Sequence, residues 1–443
     1  MYTTRLPFLG FSMPASGFGL RRAQPQDVSC PVLHAGKAHL LSIGQTGSGK
    51  TNLMIANLLL WEGSAIVVDV RGDAMRATAK FRRKVLGQKV YVLDPFAKGG
   101  SPDRLDPMQI VTLPRTETDA EAQTIASVFA APFRDDRDAY WHINGASLLG
   151  GLCCYFMSEH RTESLSMNHV TKLMFSSDLD YALAKMLDQK VVKPDSFQHE
   201  SIAAYLELPD GQGCTRSCVR SMARSMLDPF RSRAIQTAMG PSTVDLNLLL
   251  KGKPVTIYLV LPIERIVSHS MVMSMWIELV CQTLLRRTRP PQLPTMLFVD
   301  ECAQVGFASA ALKMIAVYMR GQGVKLWSFF QDFGQIKTMF ANDQSTFVNS
   351  NSAITLLPGT GMAAQELAAT LAVPQQQVEN LAESELLAYE VGKSTRTVRM
   401  PRYWQDELFR DRFQPLPRFS VPVPKVPTRK PINTSEEIPA LTR

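Results

Sequence analysis

The stretch Gly44-Gln45-Thr46-Gly47-Ser48-Gly49-Lys50-Thr51 constrains this chain more than any other. It meets the pattern G-x-x-x-x-G-K-[ST] at every fixed position, with an apolar run at 39–43 before it and a helix-competent run at 52–61 after it. Phosphate binding requires that order of strand, loop and helix. Glycines let the backbone wrap a polyphosphate, and the first N–H groups and the dipole of the helix face its negative charge. Lys50 then reaches the β- and γ-phosphates of a nucleotide, and the Thr51 hydroxyl becomes a ligand for Mg²⁺. An ordinary glycine-rich turn ahead of a helix is the plainer alternative.

The flanking pattern favours a fold that can present such a loop. Residues 65–69 form a continuous apolar run ending in an acid, and 89–94 repeat it, with a helical stretch at 74–86 between them. Continuous rather than alternating apolar runs mark strands covered on both faces, as in a parallel α/β sheet. The alternation stops near Gly99 and resumes after Pro254. Between them the patterns are helical, at 119–129, 138–160, 167–187, 199–208 and 216–239. Strands return at 255–261, 295–300, 324–330 and 353–357, separated by helices such as 268–287 and 308–320. Helices at 363–371 and 375–383 and a hairpin at 385–399 follow. A chain of 443 residues exceeds the usual size of one domain. The expected division is an irregular arm at 1–36, a nucleotide-binding α/β domain built from 37–110 and 250–400, an all-α insertion at 111–249, and a proline-rich basic disordered tail at 414–443.

A phosphate loop needs an acid at the end of a neighbouring strand to organise the metal. Met296-Leu297-Phe298-Val299-Asp300-Glu301 supplies it. Asp300 holds Mg²⁺ through water and Glu301 polarises the attacking water, unless the pair is merely the solvated end of a buried strand. Gln331, ending the run at 324–330, is placed to sense the γ-phosphate, or is a plain exposed side chain. Arg320 is placed to face the phosphates of a neighbouring subunit, or is a solvated helix-end arginine. Arg216, Arg220 and Arg224 recur every fourth residue on one helical face, with Arg231 and Arg233 beyond. Such a stripe suits a DNA backbone and equally suits a solvated or salt-bridged subunit contact.

In this order the motifs resemble those of the TraG-type coupling ATPases of type IV secretion and conjugation. The matching residues are the loop, Val68-Asp69-Val70-Arg71-Gly72-Asp73, 90–95, Tyr140-Trp141 leading into 146–149, 256–262, Asp300-Glu301, Arg320-Gly321 with Gly323-Val324, and Phe330-Gln331 with Gln335. The resemblance implies a RecA-like ATPase domain carrying an all-α insertion and using ATP and Mg²⁺. It implies a homo-hexamer with ATP sites between subunits. It also implies partners: relaxase-bound single-stranded DNA or effector proteins, and secretion-channel components at the inner membrane. Lys50, Thr51, Asp300, Glu301 and Gln331 match the family's nucleotide site, and Arg320 matches its trans-acting arginine. A docking platform for secreted proteins with slow hydrolysis is the second reading. Two departures stand out: no transmembrane helices at the start, and Arg71-Gly72-Asp73 where the family has Lys-Gly-Glu.

Composition adds limits. The formal charge of +8 and a pI near 9.1 suit a polyanionic partner. Seven cysteines fit reduced thiols. Cys153, Cys154, Cys214 and Cys218 lack zinc-site spacing, are expected as small buried hydrophobes, and imply no structural zinc. No export signal or membrane-length apolar run is visible, so the expected location is cytoplasmic, at the inner membrane only through partners.

Overall fold

The computed structural model describes residues 2–13, 30–133, 139–158, 165–210, 214–359 and 364–416. The strands are β1 (Phe8–Ser12), β2 (Pro31–Leu33), β3 (His39–Ile43), β4 (Ala65–Asp69), β5 (Lys89–Leu93), β6 (Val255–Val260), β7 (Thr295–Val299), β8 (Val324–Phe330), β9 (Asn351–Leu356), β10 (Glu385–Glu390) and β11 (Arg396–Arg399). They form one eleven-stranded sheet in the order β2-β1-β11-β10-β9-β3-β8-β7-β4-β6-β5. From β9 to β5 every pairing is parallel; from β9 to β2 every pairing is antiparallel.

Every residue of β3, β4, β6, β7 and β8 is buried, which explains their unbroken apolar character. Alternate side chains enter two cores. Val67, Phe298 and Phe329 pack on one face with Leu53, Leu58 and Trp61. Ile66, Val68, Leu297 and Phe330 pack on the other with Trp276 and Leu312. On the first face lie α1 (Lys50–Leu58) and α2 (Asp73–Lys84).

Between β5 and β6 run α3 (Thr118–Ala130), α4 (Ala139–Ser158), α5 (Met167–Met174), α6 (Leu179–Asp188), α7 (Phe197–Glu207), α8 (Thr215–Leu227), α9 (Arg233–Ala238) and α10 (Leu246–Leu250). After β6 come α11 (Ile263–Leu285) and, after β7, α12 (Ser309–Tyr318). Two expected helices are each divided. The stretch 167–187 breaks at Ser176 and Asp178, where the Asp178 N–H turns to the Ser176 hydroxyl. The stretch 216–239 breaks at Pro229, which has no N–H to continue α8 and opens a 3₁₀ turn instead.

The arm at 1–36 needs a larger correction. It is not irregular throughout, because β1 joins β11 and β2 joins β1. Glycine and proline masked them, since Gly10 lies inside β1 and Pro31 opens β2. The tail expected at 414–443 lies outside the described residues from 417 onward. Cys153 and Cys154 are buried as expected, whereas Cys214 and Cys218 are exposed, at the start of an amphipathic helix whose buried face is Val219, Ala223 and Met226. Among the described residues, no helix is long and apolar enough to cross a membrane.

Candidate functional site

Strand β3 ends at Ile43 and the glycine-rich loop turns directly into α1. Gly49 caps that helix at φ +99°, a left-handed conformation that strains any L side chain. Gly44 is required for space: a Cβ there would lie 2.5 Å from Ser48 Oγ and 2.6 Å from Leu357 Cβ. Gln45, Thr46 and Gly47 form the exposed tip. Lys50 is buried and curls back over the loop, its Nζ donating to Gly44 O at 2.6 Å and Gln45 O at 3.1 Å. Burial pushes its pKa down, against the opposing pull of Glu301 and Asp300.

The acids arrive from the far half of the chain. Strand β7 delivers Asp300, and Thr51 Oγ1 donates to Asp300 Oδ2 at 3.3 Å across 249 residues of sequence. One expectation changes here. Asp300 does not follow the strand next to β3, because β8 lies between β3 and β7. That intervening strand ends in Gln331, so Gln331 emerges between the loop and the acids. Its Nε2 donates to Glu301 Oε2 at 2.9 Å, and its N–H donates to Gln335 Oε1 at 2.9 Å. Glu301 is held at φ +49°, strain of the kind that collects at functional sites.

Burial raises the Asp300 pKa to about 7, with Asp69 and Glu301 adding like charge. Sequence reasoning gave Asp69 no role, although it ends a buried strand in the same form as Asp300. It is fully buried at the end of β4, and burial pushes its pKa up to about 6. Its carboxylate accepts from Met75 N at 2.8 Å and Arg71 N at 3.3 Å, holding the turn into α2. The segment after β11 was also missed: Asn52 Nδ2 donates to Pro401 O, and the Met400 sulfur packs on Gly49.

The loop and acids fit a magnesium-triphosphate. Asp300 Oδ1 and Ser48 Oγ are buried without a partner, and the Lys50 amine has only the loop's own carbonyls. Oxygen donors of this type suit Mg²⁺, and a cation beside glycine N–H groups suits phosphate.

Two sets of sequence-predicted residues lie elsewhere. Arg320 sits in the turn Met319–Gln322 that leads into β8, at the opposite end of that strand from Gln331. Seven strand residues separate them, roughly 23 Å at the usual rise per residue. Arg320 therefore cannot reach its own chain's loop. The arginines of α8 are turned inward. Arg216 donates to Leu206 O at 2.5 Å and Leu208 O at 2.8 Å, Arg220 pairs with Asp180 at 3.5 Å, and Arg224 donates to Met174 O at 2.9 Å and Ser176 O at 3.0 Å. The expectation of a DNA or subunit contact for Arg216, Arg220 and Arg224 therefore meets arginines that already have partners within their own chain. Their guanidinium groups meet the C-terminal ends of α5 and α7 and an acid of α6.

Sheet, loop and paired acids define a RecA-like P-loop fold with a helical portion between β5 and β6. Residues 16–361 match the model of the family described as Type IV secretory system Conjugative DNA transfer, and the chain belongs to that family. It is 22% identical over 398 residues to the Conjugal transfer protein TraG of Escherichia coli. The match covers 85% of this chain and 62% of that relative, so the chain spans less than two thirds of the relative's length. Among solved structures, the plasmid coupling protein TrwB with a non-hydrolysable ATP analogue aligns with a TM-score of 0.65 at 18% identity, covering 82% of this chain and 85% of that one. TrwB with ADP and Mg²⁺ gives 0.64 at 17%, covering 82% and 86%. VirB4 of Thermoanaerobacter pseudethanolicus gives 0.54 at 14%, covering 84% and 94%.

Proposed function

We propose that this chain is the ATP-hydrolysing part of a type IV coupling protein, which recruits relaxase-bound single-stranded DNA or an effector protein and drives it to the secretion channel at the inner membrane. The observation that carries this reading is the junction of Thr51 with Asp300, beside hydrogen-bonded Glu301 and Gln331. Family membership and the TrwB complexes with ADP, Mg²⁺ and an ATP analogue add support.

In this mechanism Mg²⁺ supplies charge that neutralises the polyphosphate. The loop from Gly44 to Thr51 binds the phosphates through backbone N–H groups, and Lys50 leaves its carbonyl partners for the β- and γ-oxygens. Thr51 and Asp300 would hold the metal. Glu301 takes a proton from the attacking water and orients it. Gln331 reports loss of the γ-phosphate through its bond to Glu301. Arg320 acts in trans on the nucleotide of a neighbouring copy in a ring, which we take as six-membered.

The test is ATP turnover by the purified chain and by Lys50→Ala, with and without single-stranded DNA. Several-fold stimulation of the wild type, absent in Lys50→Ala, is the expected result. Turnover indifferent to DNA would favour a docking platform for secreted proteins, and no turnover at all would remove the ATPase reading.

A further inference from the structure

Between Asp69, which ends β4, and Asp73, which opens α2, the chain turns tightly through Val70, Arg71 and Gly72. The turn lies at the nucleotide end of the sheet: Asp300 N donates to Val68 O at 3.1 Å, so β4 and β7 end side by side. The backbone of Arg71 is held on both sides. Its N–H donates to Asp69 Oδ1 at 3.3 Å, and its carbonyl accepts at 2.7 Å from Arg76 Nη2, which also donates to Asp73 Oδ1 at 2.7 Å. Gly72 follows at φ +71° and leaves room for Arg76 across the turn, since a Cβ there would lie 3.2 Å from Arg76 Nη1. The Arg71 side chain is in the opposite state. It is exposed and has neither an acidic nor a hydrogen-bonding partner among the described residues. Its positive charge is nevertheless felt at both the Lys50 amine and the Asp300 carboxylate.

A guanidinium on a pinned backbone, with its donors unspent and the loop lysine beside it, calls for an anion. The acids of the site are already engaged. Asp69 is taken up by the N–H groups of Met75 and Arg71, Glu301 by Gln331, and Asp300 by Thr51. Arg320 lies at the other end of β8 and Arg76 is spent on the turn, which leaves Arg71 to serve the nucleotide of its own chain. In hydrolysis the water oxygen bonds to the γ-phosphorus while the bond from that phosphorus to the β–γ bridging oxygen breaks. The electron pair of the broken bond stays with ADP, and the water's proton goes to Glu301. A planar guanidinium fork matches the γ-phosphoryl oxygens, and a donor placed where charge shifts counts most in the transition state. Resting on the ATPase reading above, we propose that Arg71 turns onto the γ-phosphate of the nucleotide bound in its own chain and stabilises the phosphoryl group as it transfers.

The test compares wild type, Arg71→Lys and Arg71→Ala in binding ADP alone and ADP with aluminium fluoride, which imitates the transferring phosphoryl group, both with Mg²⁺. ADP affinity is expected to stay within about threefold of wild type, because ADP lacks the γ-phosphate. Affinity for the aluminium fluoride complex is expected to fall at least about tenfold in Arg71→Ala and less in Arg71→Lys. ATP turnover is expected to fall in parallel, with kcat affected more than KM. Both variants are expected to keep the wild-type urea midpoint, since the side chain holds nothing in its own chain. Mixing Arg71→Ala with Lys50→Ala is expected to leave turnover low, because every chain then carries a defect in its own site. Restored turnover in the mixture would move Arg71 to a neighbour's nucleotide and overturn the proposal. So would unchanged binding of both ligands, equal weakening of both, or a lowered midpoint. A wild type that binds no ADP would instead strike at the ATPase reading.

Discussion

At Glu301 the backbone conformation and the chemistry pull in opposite directions. Its φ of +49° costs a non-glycine residue roughly 1 to 3 kcal/mol, a cost the surrounding fold imposes at that one position. Glu301→Gly removes both the strain and the carboxylate. We expect it to hold or raise stability, by up to about 1 kcal/mol, while turnover falls at least a hundredfold. Urea melts and ATP turnover on the same preparation check this, and a variant that loses stability while keeping activity would show that the carboxylate is structural. The residues at this site were legible to different degrees. The loop and the acid pair are local patterns, read directly. That Gln331 stands between them, and that Asp69 crowds Asp300, depends on strand order, which no local run of residues encodes.

The arginines of α8 carry the same lesson at the level of elements. Spacing of four correctly puts Arg216, Arg220 and Arg224 on one helical face, but spacing does not say what that face meets. Here it meets the last carbonyls of α5 and α7, where a cation offsets the negative end of the helix dipole and satisfies groups that the helix leaves unpaired. Arg224 spans Met174 O and Ser176 O and stacks on Phe175, fixing the break between α5 and α6. Arg224→Ala is expected to cost about 1 to 3 kcal/mol by leaving those carbonyls unsatisfied, with single-stranded DNA affinity unchanged across a salt titration. A variant of wild-type stability with weakened DNA binding would return the stripe to the nucleic acid. Arg82 is a second inward arginine the sequence did not reveal. It is fully buried and donates to Leu58 O, Trp61 O, Gly63 O, Gln88 and Thr256, tying α2 to the ends of α1 and to β6. No periodic pattern marks a residue whose partners are three carbonyls between Leu58 and Gly63 and the side chains of Gln88 and Thr256.

For the whole molecule, the question is whether the helical stretch between β5 and β6 is an independent unit. The reading from sequence treated it as an inserted domain, because the strand pattern stops and later resumes. The packing argues for a shared core. One continuous apolar cluster runs from Val68 and Leu259 in the sheet through Trp276 and Leu279 of α11 to Phe129, Leu149 and Phe230 in the helical portion. A polar tie crosses the same boundary: Arg286, at the C-terminal cap of α11, pairs with Glu121 of α3 in a largely buried setting. Separating the two parts would expose apolar area on both sides and strand a largely buried ion pair, so neither half keeps its own stability. Two tryptophans report on the two parts, Trp141 in α4 and Trp327 in β8. Variants retaining one or the other, with the remaining tryptophans changed to phenylalanine, are expected to unfold in urea at the same midpoint and to coincide with the loss of helical circular dichroism. If Trp141 reports a lower midpoint than Trp327, the helical portion opens on its own and the continuous cluster does not couple it to the sheet. A common midpoint means that the sheet and the helices form one cooperative unit, joined by a core that does not yield between them.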